Sequence, residues 1–192
     1  MEKLTGLKKI KTAVFISGTG SNLKNIIKFS RIKKTPISIN LIVSNSNLAY
    51  GLKYADQFKI KKKIFNYKNY KASEKNILRL LKKEKIALIC LAGFMKILSK
   101  NFIKKFNGRI INIHPSLLPR YKGLDTHFRA IKNRDKFAGC TVHHVSEKLD
   151  SGKIILQKKV KITKRDNPAS LAKKVLKQEH KLYPAAIMKI FN

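Results

Sequence analysis

The segment ALICLA, residues 87–92, is apolar at every position. A strand with one solvated face alternates apolar and polar residues, whereas a strand apolar on both faces must be covered on both. Such a strand belongs in the middle of a parallel sheet flanked by helices, and that placement constrains everything around it. The neighbouring sequence agrees. Residues 12–16 (TAVFI), 37–43 and 109–113 (RIINI) read as further strands, with a short one at Ile64 and Phe65. Helical periodicity runs over 23–29, 49–58 and onward from Ser73, which is expected to cap its helix. Ser99 is expected to cap another. Beyond His114 a proline-rich segment, PSLLPRYKG, leads to a helix beginning near Thr126. Strand-like runs over 139–145 and 153–162 flank an SEKLDSG turn, and a last helix covers 169–190. The expected fold class is α/β: a single-domain (1–192), Rossmann-like, mostly parallel sheet with helices on both faces and a C-terminal antiparallel strand extension. No repeat, low-complexity tract or linker interrupts it.

Composition narrows the function classes. A chain of 192 residues can bury one real core. The longest apolar run, 86–95, is about half of what a bilayer span needs. The opening MEKLTGLKKIK is too short, polar and basic for a signal peptide. A cytoplasmic protein without a membrane partner is expected. The net charge of +34 invites a nucleic-acid reading. Against it, lysines outnumber arginines 37 to 7 and are scattered along every segment. Phosphate and base readout favours the planar arginine fork, gathered in one stripe. Lys, Asn and Ile share A/T-rich codons, so the charge reads as compositional drift and no specific nucleic acid is expected. The positive field can still attract phosphorylated small substrates. Cys90 and Cys140 stand alone in apolar runs and read as small buried hydrophobes, with neither disulfide nor metal spacing.

In open α/β sheets, ligands bind outside the carboxyl ends of the strands. That rule selects residues 17–22, 93–98 and 112–115. The first, Ser-Gly-Thr-Gly-Ser-Asn, joins a strand to a helix. Its glycines permit close backbone approach, and the helix N-terminus offers free N–H groups to a phosphate. Ser21 and Asn22 add donors, and one of them is expected to cap the helix. The segment is neither a Walker loop nor a GxGxxG fingerprint. In Asn112-Ile113-His114-Pro115, strand alternation turns Asn112 and His114 to one side. An amide donor beside an imidazole suits oxyanion stabilisation and general acid–base work. Asp150, in Leu-Asp-Ser-Gly, is either a turn former or a partner to such a site. The chain has ten carboxylates in all, so each one near a candidate site carries weight. The other histidines are weaker candidates: His143 and His144 are adjacent in a strand, face opposite ways and cannot both join one cluster, and His127 and His180 fall on helices, where surface or packing roles are expected.

Several segments together resemble the phosphoribosylglycinamide formyltransferase family: VFISGTGSNL, LAGFMKILS, INIHPSLLPRYKGLDTH, LDSGKIILQ and KQEHKLYP, in that order. The resemblance covers about residues 10–190. The Asn-x-His-Pro-Ser-Leu-Leu-Pro and Asp-x-Gly segments are shared with other 10-formyltetrahydrofolate-dependent transferases and hydrolases. The glycine loop and Leu-x-Thr-His are more specific to the glycinamide enzymes. The resemblance implies that Gly20, Ser21 and Asn22 hold a substrate phosphate and that Glu179 touches the glycinamide part. Met95, Lys96, Ile97 and Leu98 would line one side of a folate pocket, with Asn112 reaching it as well. Ser146, Glu147, Lys148, Leu149 and Asp150 would line the other. Asn112, His114 and Asp150 would be the catalytic set, with the Asp150 charge favouring protonated His114. The co-substrate would be 10-formyltetrahydrofolate, with no metal, and the enzyme a monomer or weak homodimer. Lys96 stands where the family usually has Arg, and an upstream folate-contacting Arg has no clear counterpart, Tyr70 or Lys71 being nearest. The chain stops at Asn192 without the tail of many relatives, a difference expected to be peripheral. A hydrolase, a transferase for another amine and a basic nucleic-acid-associated protein are the rival readings.

Overall fold

The computed structural model describes residues 9–191; most of the basic opening segment lies outside them. Among the described residues the sheet has seven strands, parallel toward the N-terminal end of the chain and antiparallel toward the C-terminal end. The chain divides into two compact units. One comprises the described residues through Lys96 with Phe106–Arg109 and Phe191; the other comprises Ile97–Lys105 and Ile110–Ile190.

In the first unit, β1 (Ile10–Ile16) pairs in parallel with β2 (Ile37–Ser44) and with β4 (Leu88–Leu91). β2 pairs in parallel with β3 (Lys61–Ile64). Every residue of β4 is buried, as a strand covered on both faces requires. β3 is exposed throughout, and its three consecutive lysines keep this strand from pairing with other chains. Helices α1 (Ser21–Ser30), α2 (Leu52–Gln57) and α3 (Tyr70–Lys83) bury one face each. Two starts differ from expectation. α3 begins three residues before Ser73 and is capped by Asn69, whose side chain accepts from the Ala72 N–H at 3.1 Å. Asn66 caps the preceding 3-10 turn in the same way, and Ser73 instead donates to the Asn66 carbonyl at 2.5 Å. Two asparagine caps in series outcompete the single serine. α1 starts from Gly20 with no side-chain cap, so neither Ser21 nor Asn22 performs that role.

In the second unit, α4 (Lys100–Lys105) is capped by Ser99 as the sequence predicts, with the Phe102 N–H donating to Ser99 Oγ at 3.0 Å. β5 (Arg109–His114), β6 (Phe137–His144) and β7 (Ile154–Lys161) pair antiparallel. Between β5 and β6 lie the proline-rich loop and α5 (Thr126–Lys132). α6 (Pro168–Phe191) starts with Pro168 in its first turn and Asn167 accepting the Ser170 N–H at 2.8 Å. Its buried stripe, Leu171, Val175, Leu182, Tyr183, Ala186 and Ile187, keeps helical spacing. The Tyr183 hydroxyl donates to the Ile111 carbonyl at 3.2 Å, tying the helix to β5. Cys90 and Cys140 are buried thiols. Among the described residues, no helix is long and apolar enough to cross a membrane.

Candidate active site

The glycine turn after β1 is built by backbone. Gly20 has φ 72°, and a Cβ placed on it would lie 2.6 Å from the Gly51 Cα. Its requirement for glycine is therefore local packing as much as ligand approach. Gly18 is the open position, since a Cβ there meets nothing within 4 Å. Ser17 ties three strand ends together. It accepts the Met95 N–H on its Oγ at 2.7 Å, donates to Asn45 Oδ1, and its own N–H reaches the Gly93 carbonyl at 3.1 Å. With no side-chain cap on α1, the first-turn backbone supplies the positive end of the helix to an anion.

The second unit holds a cluster of buried side chains drawn from three segments. Asp150 leaves its turn in a left-handed conformation, φ 45°, unusual for a residue with a side chain. Gly152 makes that turn possible. A Cβ there would lie 1.7 Å from the His144 carbonyl oxygen, which explains the Asp-x-Gly spacing. Asp150 Oδ2 accepts from the Gly123 N–H at 2.9 Å and lies 3.3 Å from His114 Nδ1. His114 Nε2 lies 2.8 Å from the Tyr121 carbonyl, which can only accept, so this nitrogen carries a proton. Both ring nitrogens of His114 thus face acceptors, an arrangement that only the imidazolium satisfies completely.

Of the two adjacent histidines of β6, His143 is the one that joins this cluster. It is 2% exposed, and its Nδ1 lies 2.9 Å from the His144 carbonyl. The proton is therefore on Nδ1, and Nε2 is the acceptor that faces Asn112 Nδ2 at 3.3 Å. The neutral imidazole thereby decides which way the Asn112 carboxamide points. Burial pushes His143 below its ordinary value, the His114 charge adding and the His144 carbonyl and Asp150 opposing. His143 Nε2 also lies 3.7 Å from Asp150 Oδ1. The unbroken pairing of β6 with β5 sets His143 directly opposite Asn112, while the register of β6 on β7 shifts between Val142 and His143.

The remaining predicted residues divide. Met95, 66% exposed, and Ile97, 74% exposed, present apolar side chains, Lys96 is exposed, and Leu98 is buried. Ser146, Glu147, Lys148 and Leu149 precede Asp150 in one turn. Ser146 Oγ donates to the Lys148 carbonyl at 3.1 Å, and Leu149 is exposed. Glu147 pairs at the surface with Lys104 at 3.3 Å and Lys100 at 3.8 Å, a contact of little energetic weight. Glu179 is buried on α6, and its charge adds to the burial that pushes the Cys140 thiol up to about 12.

Comparison with known proteins bears directly on this constellation. The sequence profile of the formyl transferase family matches residues 10–187. This chain belongs to the formyl transferase family. Phosphoribosylglycinamide formyltransferase of Haemophilus influenzae is 42% identical over 180 residues, covering 92% of this chain and 85% of that one. The human trifunctional purine biosynthetic protein adenosine-3 is 42% identical over 183 residues, which is 94% of this chain but 18% of the human protein. The chain thus spans about a fifth of the trifunctional relatives' length. Among solved structures, phosphoribosylglycinamide formyltransferase from Brucella melitensis superposes with a TM-score of 0.91 at 42% identity, covering 95% of this chain and 96% of that one. In this formyl transferase Asn112 hydrogen-bonds His143, and the Asp150 carboxylate lies 3.3 Å from His114 and 3.7 Å from His143. His143 is the member of this group that local sequence patterns do not single out.

Proposed function

We propose that the chain is a phosphoribosylglycinamide formyltransferase, moving the formyl group of 10-formyltetrahydrofolate onto the primary amine of phosphoribosylglycinamide. The observation that carries this reading is the grouping of Asn112, His114 and Asp150, in which the Asp150 carboxylate faces His114 and His143 and the Asn112 amide donates to His143. The folate contributes the formyl carbon and a nitrogen leaving group. Ile97 and Leu149, both in the second unit, expose apolar side chains of the kind that suits a flat heteroaromatic ring. The open Gly18 turn and uncapped α1 suit a phosphate.

The proposed reaction is direct transfer. A bond forms from the amine nitrogen to the formyl carbon, and the bond from that carbon to the folate nitrogen breaks. One proton passes from the amine to the departing nitrogen. Asn112 donates to the developing oxyanion, oriented by the acceptor nitrogen of His143. That donor contributes about 2–4 kcal/mol, and protonated His114, its two N–H groups held by Asp150 and the Tyr121 carbonyl, adds the field of its positive charge. Asp150 balances the His114 charge and receives and returns the travelling proton, the role of a general base. Glu179 is proposed to contact the glycinamide end, and the enzyme to act in the cytoplasm as a monomer or weak homodimer.

The test is an assay of formyl transfer from 10-formyltetrahydrofolate to phosphoribosylglycinamide, to other amines and to water. Transfer to phosphoribosylglycinamide should exceed the others by orders of magnitude. Equal or faster release of formate would make the chain a hydrolase.

A further inference from the structure

His114 has two ring nitrogens, and the loop between β5 and α5 commits one of them. Tyr121 adopts φ 55°, a left-handed conformation that residues with a Cβ disfavour. The turn aims its carbonyl at His114 Nε2, 2.8 Å away. A carbonyl oxygen accepts a hydrogen bond but takes up no proton at any ordinary pH. The Nε2 proton is therefore held in place, and the only nitrogen free to exchange is Nδ1, which faces Asp150 Oδ2 at 3.3 Å.

The side chain of Tyr121 is secured more heavily than a loop tyrosine needs to be. Its hydroxyl donates to Asp135 Oδ2 at 2.8 Å and accepts from Asn133 Nδ2 at 2.9 Å and from Arg120 Nη2 at 3.1 Å. Asp135, whose side chain is 8% exposed, also accepts from Arg120 at 2.8 Å. The guanidinium carbons of Arg120 and Arg129 lie 5.1 Å and 5.0 Å from the centre of the Tyr121 ring. Arg129 then reaches past the tyrosine and donates to the Lys122 carbonyl at 2.8 Å. Such a clamp holds a strained residue in a conformation it would otherwise leave.

We propose that Tyr121 is a positioning residue: its clamped, left-handed backbone fixes the tautomer of His114, confining the movable proton to the His114–Asp150 pair. The inference deepens the formyl-transfer reading and rests on it for turnover alone, because the tautomer is measurable without substrate. Neutral His114 in the wild-type protein carries its proton on Nε2. Losing the carbonyl would let the proton move to Nδ1, where it satisfies the Asp150 carboxylate and leaves the neutral ring without a basic nitrogen facing that pair.

The experiment compares wild type with Tyr121→Phe, which keeps the ring and removes the hydroxyl bonds, and with Asp135→Asn, which loosens the clamp without approaching His114. Long-range proton–nitrogen NMR of the free protein reports which ring nitrogen of neutral His114 is protonated. The wild type should show Nε2–H. Both variants should show a mixture with Nδ1–H, and kcat should fall roughly tenfold with KM for both substrates little changed. Nδ1–H in the wild type, or Nε2–H retained in both folded variants, overturns the proposal whatever happens to kcat. Failure of the transfer assay with the tautomer shift intact would instead count against the reaction assigned to the site, leaving the positioning role standing.

Discussion

The glycine turn after β1 and the cluster around Asp150 both follow strand ends, yet they are made of different material. The turn consists of backbone. Its critical residue, Gly20, is demanded by a 2.6 Å approach to the Gly51 Cα and a positive φ, and no titrating side chain takes part in it. The Asp150 cluster consists of side chains from β5, β6 and the turn between β6 and β7, joined by the Asn112–His143 hydrogen bond and by the contacts of Asp150 with His114 and His143. A site of the first kind responds to mutation through conformation and stability. One of the second kind responds through rate and pH. The sharpest break of this contrast is Asp150→Asn. The amide keeps an acceptor for the Gly123 N–H but loses the charge that both histidines face. We expect kcat to fall on the order of 10²–10⁴-fold, with far smaller changes in KM and an unchanged melting temperature. Near-normal turnover would reduce Asp150 to a turn residue and make the two regions alike.

His143 tests whether the cluster acts as a unit. His143→Leu removes the acceptor that orients Asn112, and kcat should drop about 10- to 100-fold, the cost of a misplaced donor. His143→Gln retains an oxygen acceptor and should recover most of that loss. Steady-state kinetics of the two variants decide it. Equal losses would mean that bulk, and not the hydrogen bond, is what His143 provides.

For the turn, the two glycines should separate. Gly20→Val places a branched side chain in a left-handed conformation and against Gly51, so stability should fall by about 2–4 kcal/mol. This departs from what the sequence alone suggests, namely a binding defect in an intact fold. Gly18→Ala meets nothing and should leave stability unchanged while raising KM for the phosphorylated substrate about three- to tenfold. Denaturant midpoints and KM for each substrate measure both effects. A stable Gly20→Val protein would show that the turn is a binding element only.

The same contrast explains what could be read in advance. The doubly apolar β4 and the alternation around it announce the α/β sheet, because burial on two faces leaves a compositional mark. Asn112, His114 and Asp150 are legible because strand alternation and an Asp-x-Gly turn are local patterns. His143 is not. Its place depends on the antiparallel register that sets it opposite Asn112, a pairing between two distant strands that the period of one strand does not reveal. The helix starts at Tyr70 and Ser21 also escape the sequence, for a related reason. A preceding asparagine pair sets the first, and glycine packing against Gly51 sets the second. Each is a competition between neighbours that a single motif does not reveal.

The smallest expected effect concerns stability against pH, and it too should belong to the second unit. His127, His143 and His180 all lie there, and burial is the first cause lowering each imidazole below its ordinary value. Unfolded, each takes up a proton near pH 6.5, roughly the free-imidazole value. Folded, each resists protonation until a lower pH. Between those two points the unfolded state binds more protons, so stability is fully present above the unfolded value and declines as pH falls through the window. Asp166 is held far below the usual carboxylate range, first by Lys174, and its contribution fades only under about pH 4, so the two effects separate. From about pH 7.5 to 5.5 we expect an unfolding free-energy loss on the order of 1–2 kcal/mol, His127 and His180 being partly solvated. His143→Gln should flatten that slope by its share, whereas Gly18→Ala, in the first unit, should leave the slope as it is. Urea titrations of the three proteins across this range make the comparison. A slope unchanged by His143→Gln would mean that this imidazole takes up its proton as readily folded as unfolded, and the neutral acceptor assigned to it beside Asn112 would have to be abandoned.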